Sequence, residues 1–181
     1  MHRLYSSSQN ILDNKIIIDN KEQAHHARNV LRLNDNEEVV IFDDKGNEYY
    51  AILEKSLPKA MIFKIKNKKN PVLKPSKVKI TVACAIPKDS HMDKIIDKLT
   101  QLGIDRIIPL ETERVVVKLD KHKRILRQER WKKIAFNASL QSQRNILPIL
   151  EPIKNIKQLL SDAGSFDLKL IPTLIQERKP L

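Results

Sequence analysis

Four polar residues in a row, Gln141-Ser142-Gln143-Arg144, interrupt the stretch RWKKIAFNASLQSQRNILP at 130–148. The stretch begins as a helix, with Trp131, Ile134, Ala135, Ala138 and Leu140 forming a small apolar stripe. A helix that only fills a core has no use for such an ending. Arginine holds phosphate with a two-pronged fork, and glutamine both donates to and accepts from a base edge. Gln141 and Arg144 are therefore candidates for gripping a nucleic acid. The plainer alternative is that they cap their helix and bond its last carbonyls.

Other chemistries find little support in the residue types. Nucleotide-cradling loops need glycines, because backbone N–H groups must approach the ligand closely. This chain has three, at Gly46, Gly103 and Gly164, and contains neither GxGxxG nor GKS/T. Each glycine already has a structural post, in a turn or at a helix end. One cysteine and five scattered histidines do not make a zinc site. His25 and His26 are adjacent on a helix and diverge by about 100°. Cys84 lies in KVKITVACAIP, which reads as a buried strand, and a lone cysteine there suits a reducing, cytoplasmic setting. No apolar run reaches the roughly 18 residues of a membrane span, and the N-terminus lacks the apolar core of a signal peptide.

Charge is more telling. Thirty-four Lys and Arg stand against 22 Asp and Glu, a net charge of +12, and the excess is segregated. Residues 59–79 hold eight lysines and no acid, while 114–133 hold nine basic residues and two acids. Such clusters attract polyanions, and nucleic acid is the commonest in a cytosol.

The elements that would position these groups fall into two sets. KIIID (15–19) is a strand candidate, and KEQAHHARNVLRL (21–33) has helical spacing. Residues 37–56 read as a hairpin turning at DDKGN, with KAMIFKIK (59–66) as a further half-exposed strand. KNKKNPVLKPSK resembles a linker. Beyond it the rhythm changes. KVKITVACAIP has the near-continuous apolar pattern of a strand covered on both faces. An amphipathic helix follows at 90–103, with Ser90 and Asp93 spaced as a capping box and Gly103 as its C-cap, and then the strand IDRIIPLE (104–111). Strand, helix, strand implies a parallel sheet. A basic loop, the QSQR helix, the extended piece ILPIL, a short helix ending at Gly164 and a last strand FDLKLIPTL complete the reading.

Four ordered segments, MHRLY, HHARNVLRLNDNEEVVIFDDKGNEYYAIL, AIPKDSHMDKIIDKLTQLGIDRIIPLETERVVVKL and RWKKIAFNASLQSQRNILP, together resemble the RsmE family, SPOUT (trefoil-knot) methyltransferases that modify N3 of a uridine in small-subunit ribosomal RNA. MHRLY resembles the family's opening M-x-R-x-F/Y, and HHARNVLRLNDNEEVVIFDDKGNEYYAIL its H-x-x-x-VLR segment and hairpin. AIPKDSHMDKIIDKLTQLGIDRIIPLETERVVVKL resembles the A-x-PK to ERS-V-V stretch, and RWKKIAFNASLQSQRNILP the RW to EQS-x-R segment. Gln101 and Leu140 stand where the family has glutamates.

The resemblance implies an α+β, PUA-like RNA-binding β-barrel over 1–70, then an α/β SPOUT-type parallel-sheet domain over 71–181. It implies S-adenosylmethionine as cofactor, 16S rRNA or the small ribosomal subunit as partner, a homodimer, and neither metal nor membrane. Arg3, His26 and Arg32 would face RNA from the barrel. Lys88, Arg114, Gln141 and Arg144 would hold RNA or supply the positive field that favours the uridine anion; no residue is marked as the base. The family's GPEGG-type loop and LG-x-x-(I/V)-LR-x-ET-like segment have no counterpart here, so Pro172 and Thr173 alone would begin a cofactor pocket. The expectation is a rRNA methyltransferase by lineage, short of its knot and inactive alone; the alternative is a non-catalytic rRNA-binding module or one fragment of a split enzyme.

Overall fold

The computed structural model describes residues 1–69, 77–88, 90–113 and 120–172. The first body is a curled six-stranded sheet. Its strands are β1 (His2–Tyr5), β2 (Ile11–Leu12), β3 (Lys15–Ile18), β4 (Glu38–Phe42), β5 (Glu48–Ser56) and β6 (Met61–Lys69), in the order β1-β4-β5-β6-β3-β2. Only β1 and β4 run parallel. Alternating residues turn inward, so Leu4, Ile16, Ile18, Val39, Ile41, Ala51, Leu53, Met61 and Phe63 share one core. Ala24 and Ala27 close it from the helical segment.

The hairpin at 37–56 forms as its sequence indicates. Gly46 takes φ 83°, and Asp43, 1% exposed, accepts from the backbone N–H groups of Lys45 and Asn47 at 2.9 Å each. Tyr49 donates its hydroxyl to the same carboxylate at 3.0 Å. The helical pattern at 21–33 is only partly realised. An α-helical turn α1 (Lys21–His25) widens into a π-helical turn at His26–Val30, and Arg32 follows in the left-handed region at φ 53°. The expected linker also begins later, since β6 pairs with β5 as far as Lys69 opposite Glu48.

The second body is a parallel sheet of β7 (Thr81–Ala85), β8 (Arg106–Glu111), β9 (Ile149–Leu150) and β10 (Lys154–Asn155). β8 is central, with β7 on one side and β9 then β10 pairing successive parts of the other. Helices α2 (His91–Leu102) and α3 (Lys121–Gln141) pack together, and Met92, Ile96, Ile107, Trp131, Ala135 and Ile153 form the core between them and the sheet. α4 (Ile156–Ser161) follows β10.

Several expectations are corrected here. β7 is not covered on both faces: among the described residues it ends the sheet, Ala83 and Ala85 are exposed, and so are Val78 and Ile80 before it. A continuous apolar run reports apolar surroundings only where neighbours exist on both sides. Ser90 makes no side-chain cap: its carbonyl accepts from the Asp93 N–H at 3.0 Å, while the Asp93 carboxylate accepts from the Trp131 indole N–H at 3.1 Å and from Arg130 at 2.5 Å. Gly103 does cap α2, at φ 83°. The basic loop is largely helix, for α3 starts at Lys121 with Asp120 accepting from the Lys123 N–H. Gly164 is no helix cap; α4 ends at Ser161 with Asp162 as its C-cap, and Gly164 lies in a following 3₁₀ turn. No strand forms over residues 166–172, where Leu168, Leu170 and Ile171 are exposed. An apolar alternation makes a strand only when another edge accepts its hydrogen bonds.

Candidate functional site

Parallel βαβ topology fixes two ends. α2 leaves the carboxyl end of β7 and returns to the start of β8, so the two edges of the sheet are reached by different residues. Lys88, exposed, lies just past β7 at the carboxyl edge. There a cleft of about 600 Å³ is lined by Glu111, Thr112, Glu113, Asn155, Ile156 and Lys157. Ligands of open α/β sheets bind at this edge.

The amino edge carries the QSQR turn. Gln143 takes φ 55°, Arg144 N–H donates to the Ser139 carbonyl at 3.0 Å, and Gln143 N–H donates to that of Leu140. This is the Schellman arrangement with glutamine at the left-handed position usually given to glycine. Gln141, the last helical residue, is exposed. Arg144 turns to α2 instead of its own helix: Nε donates to the Gln101 carbonyl at 2.8 Å. A Cβ at Gly103 would overlap the Arg144 guanidinium, so that glycine serves close approach as well as its positive φ.

The next residue reaches the barrel. Asn145 donates through Nδ2 to the Gly46 carbonyl at 3.0 Å and accepts from Arg3. Arg3 also donates to Glu48 at 2.7 Å and stands over the Phe42 ring, 4.9 Å from its centroid. Tyr5 meets Phe136 of α3 edge-on at 5.5 Å and Phe42 at 5.4 Å. Burial, then the nearby Asp44 and Asp43, raises the Tyr5 hydroxyl pKa. Between the bodies lies a cleft of about 710 Å³ whose wall includes Arg3, Tyr5, His26, Lys132, Lys133 and Phe136.

The sequence candidates are thus divided. Arg3 and His26 line one cleft, and Gln141 and Arg144 lie at the same edge of the sheet. Lys88 stands at the opposite edge, and Arg32 is exposed after the π turn. Pro172 is exposed and outside any strand, while Arg114 and Thr173 lie outside the described residues. Sequence reasoning missed Asn145, Glu48 and Phe136, whose importance comes from partners far along the chain. The Asn immediately after QSQR was the only local hint. Cys84 is half-buried with its thiol pKa raised by burial, which makes it less nucleophilic. Among the described residues no group of His, Cys, Asp and Glu is arranged to hold a metal, and no helix is long and apolar enough to cross a membrane.

Two family models divide the chain near the boundary between the curled sheet and the helix-backed parallel sheet, and both describe RNA methyltransferases. An RNA methyltransferase PUA domain matches residues 18–74, and an RNA methyltransferase domain matches 74–180. The chain belongs to the ribosomal RNA small subunit methyltransferase E family. The Bacillus subtilis protein of that name is 32% identical over 149 residues, 81% of this chain and 57% of the relative. The Synechocystis protein is 30% identical, over 81% of this chain and 46% of its own length. The chain therefore spans about half the length of these curated relatives. A putative Legionella pneumophila methyltransferase, solved with its bound cofactor SAM, superposes with a TM-score of 0.87 at 29% identity, covering 97% of this chain and 72% of that one. The Neisseria gonorrhoeae ribosomal RNA small subunit methyltransferase E, bound to S-adenosyl methionine, gives 0.76 at 28% identity, covering 88% and 65%.

Proposed function

We propose that this chain is the RNA-gripping part of a 16S rRNA methyltransferase that uses S-adenosylmethionine to methylate N3 of a uridine. The observation that carries the reading is the placement of the barrel. It is clasped at the amino edge of the sheet through Asn145, which leaves the carboxyl edge at Lys88 and the Glu111–Lys157 cleft open. Residues 1–70 would be the RNA-docking barrel and 71–181 the SPOUT-type domain, with a trefoil knot and a homodimer as the family arrangement.

The carboxyl-edge cleft suits the cofactor in the signs of its groups. Glu113 there matches a sulfonium cation, and Lys157 matches a carboxylate. When bound, the cofactor supplies the methyl group. The chain's own residues hold RNA and shape the field: Lys88, with Arg114, would favour the uridine N3 anion, as a nearby cation lowers an acid's pKa. Arg3, His26, Arg32 and Gln141 would position RNA on the barrel side, and Arg144 would steady the turn from which Asn145 reaches the barrel. Pro172 and Thr173 would begin the cofactor's wall.

A second reading, an RNA-binding module without chemistry, is favoured by the glycines. Gly46 and Gly103 are occupied by structural duties and Gly164 sits in the 3₁₀ turn beyond α4, so none lines the Glu111–Lys157 cleft. Calorimetric titration separates the readings. S-adenosylmethionine and a helical-junction fragment of small-subunit rRNA are titrated separately into the chain. Binding of both supports the methyltransferase reading. RNA binding alone selects the module, and no RNA binding overturns both.

A further inference from the structure

We propose that the outward face of the barrel along β6 is a second RNA-docking surface, a lysine row that follows the phosphate backbone beside Tyr50. The inference rests on the RNA-docking reading above but concerns residues which that reading does not use. β6 carries Lys64, Lys66, Lys68 and Lys69, all exposed, and residues 59–69 contain no acid.

Cross-strand partners share a face, so the register identifies the surface. Phe63 and Met61 turn inward. Lys64 stands opposite Ile52 of β5 and Lys15 of β3, Asn67 stands opposite Tyr50, and Lys69 opposite Glu48. The register shift between Tyr50 and Ala51 leaves Lys66 as the extra residue of a bulge. Glu48 holds Arg3, so the row begins at the junction of the two bodies and runs outward to Lys64 and Lys15, about 16 Å at the usual strand rise.

What distinguishes this row from the other basic cluster is compensation. On α3, Lys123, Arg124, Arg130, Lys132 and Lys133 are paired with Asp120, Glu111, Asp93, Glu129 and Glu22. No described carboxylate forms an ion pair with Lys64, Lys66, Lys68 or Lys69. Lys15 does pair with Glu54, yet it directly faces Lys64, and like charges directly opposite each other weaken a sheet. A face that keeps Lys64, Lys66 and Lys69 uncompensated gains when a polyanion displaces its counterions, while Lys68, opposite buried Tyr49 and 5.6 Å from its ring centroid, belongs to the other face. Tyr50 supplies the complementary element. Lys69 stands 5.9 Å from its ring centroid, and the half-buried ring offers a stacking platform for an unpaired base.

The test compares two triple variants with the same loss of charge. One is Lys64→Gln/Lys66→Gln/Lys69→Gln; the control is Lys94→Gln/Lys98→Gln/Lys169→Gln, exposed lysines of the second body. Affinity for the rRNA junction fragment is measured across 50–200 mM salt, values spanning roughly the range over which counterion release is read. The β6 variant is expected to flatten the log–log salt slope by about 2 and lose about tenfold or more in affinity, with the control near wild type. Equal effects of the two variants, or an unchanged slope for the β6 variant, overturn the surface while leaving the wider RNA reading intact. Absence of RNA binding by the wild type overturns both. Binding to phosphatidylserine vesicles that is lost on the same substitutions, with RNA binding unaffected, assigns the row to a membrane instead and overturns it. If the triple variant unfolds, Lys66→Gln and Lys69→Gln singly are each expected to remove about 0.7 from the slope.

Discussion

Arg144 Nε donates to the Gln101 carbonyl at 2.8 Å, so the residue whose backbone N–H helps close α3 also closes the C-terminal end of α2 with its side chain. A guanidinium at a helix C-terminus satisfies an orphan carbonyl and favours the dipole. Arg144→Ala is expected to cost about 1–2 kcal/mol in denaturant unfolding. Loss of RNA affinity beyond that destabilisation, measured well below the unfolding midpoint, would show that the exposed part of the guanidinium also meets RNA.

Asn145 binds the barrel in two directions, to Arg3 and to Gly46. Asn145→Ala leaves the Gly46 carbonyl and one arm of Arg3 without their partner, and is expected to loosen the junction by about 1–3 kcal/mol. Limited proteolysis between the bodies, faster in the variant than in wild type, reads that effect. An unchanged cleavage rate would mean that Tyr5–Phe136 and Lys133–Glu22 hold the junction alone.

Asp93 gives the sole tryptophan its partner. Asp93→Ala leaves the indole N–H of a side chain that is 2% exposed without an acceptor, at a cost of about 1–3 kcal/mol. Asp93→Asn retains an acceptor for Trp131 but weakens the pair with Arg130, so it should cost less. Tryptophan emission reports both variants directly; equal stability of the two would show that the indole bond contributes nothing.

Gln143 holds the left-handed position of the α3 cap at φ 55°. Glycine adopts that region without steric cost, so Gln143→Gly is expected to stabilise the protein by about 0.5–1 kcal/mol. A lower thermal midpoint would show that the glutamine side chain contributes more than its backbone strain costs.

Tyr49 is pushed up to about 12, first by burial and then by its hydrogen bond to Asp43. Its ordinary pKa is 10.0, so the folded state favours the neutral phenol. That stability is fully present below pH 10 and is lost as pH rises from 10 towards about 12, because the unfolded chain releases the proton first. Thermal midpoints in this window should fall in wild type and fall less in Tyr49→Phe.

Periodicity and turn chemistry by themselves determined the hairpin around Gly46, the amphipathic α2 with its Gly103 cap, the βαβ order and the segregation of positive charge. These are local signals, written within a few neighbouring residues, and the four-segment resemblance added the family. Tertiary structure alone decided what each polar group serves. Asp93 was spaced to cap α2 but meets Trp131 across 38 positions, and Arg144 meets Gln101 across 43. The apolar runs at β7 and 166–172 mark readiness to pair, while actual coverage depends on neighbours supplied by the rest of the fold. Charge follows the same rule: composition counts lysines, but only packing shows that the cations of α3 are mostly answered by carboxylates and those of β6 are left open, because an ion pair is a property of two positions in space.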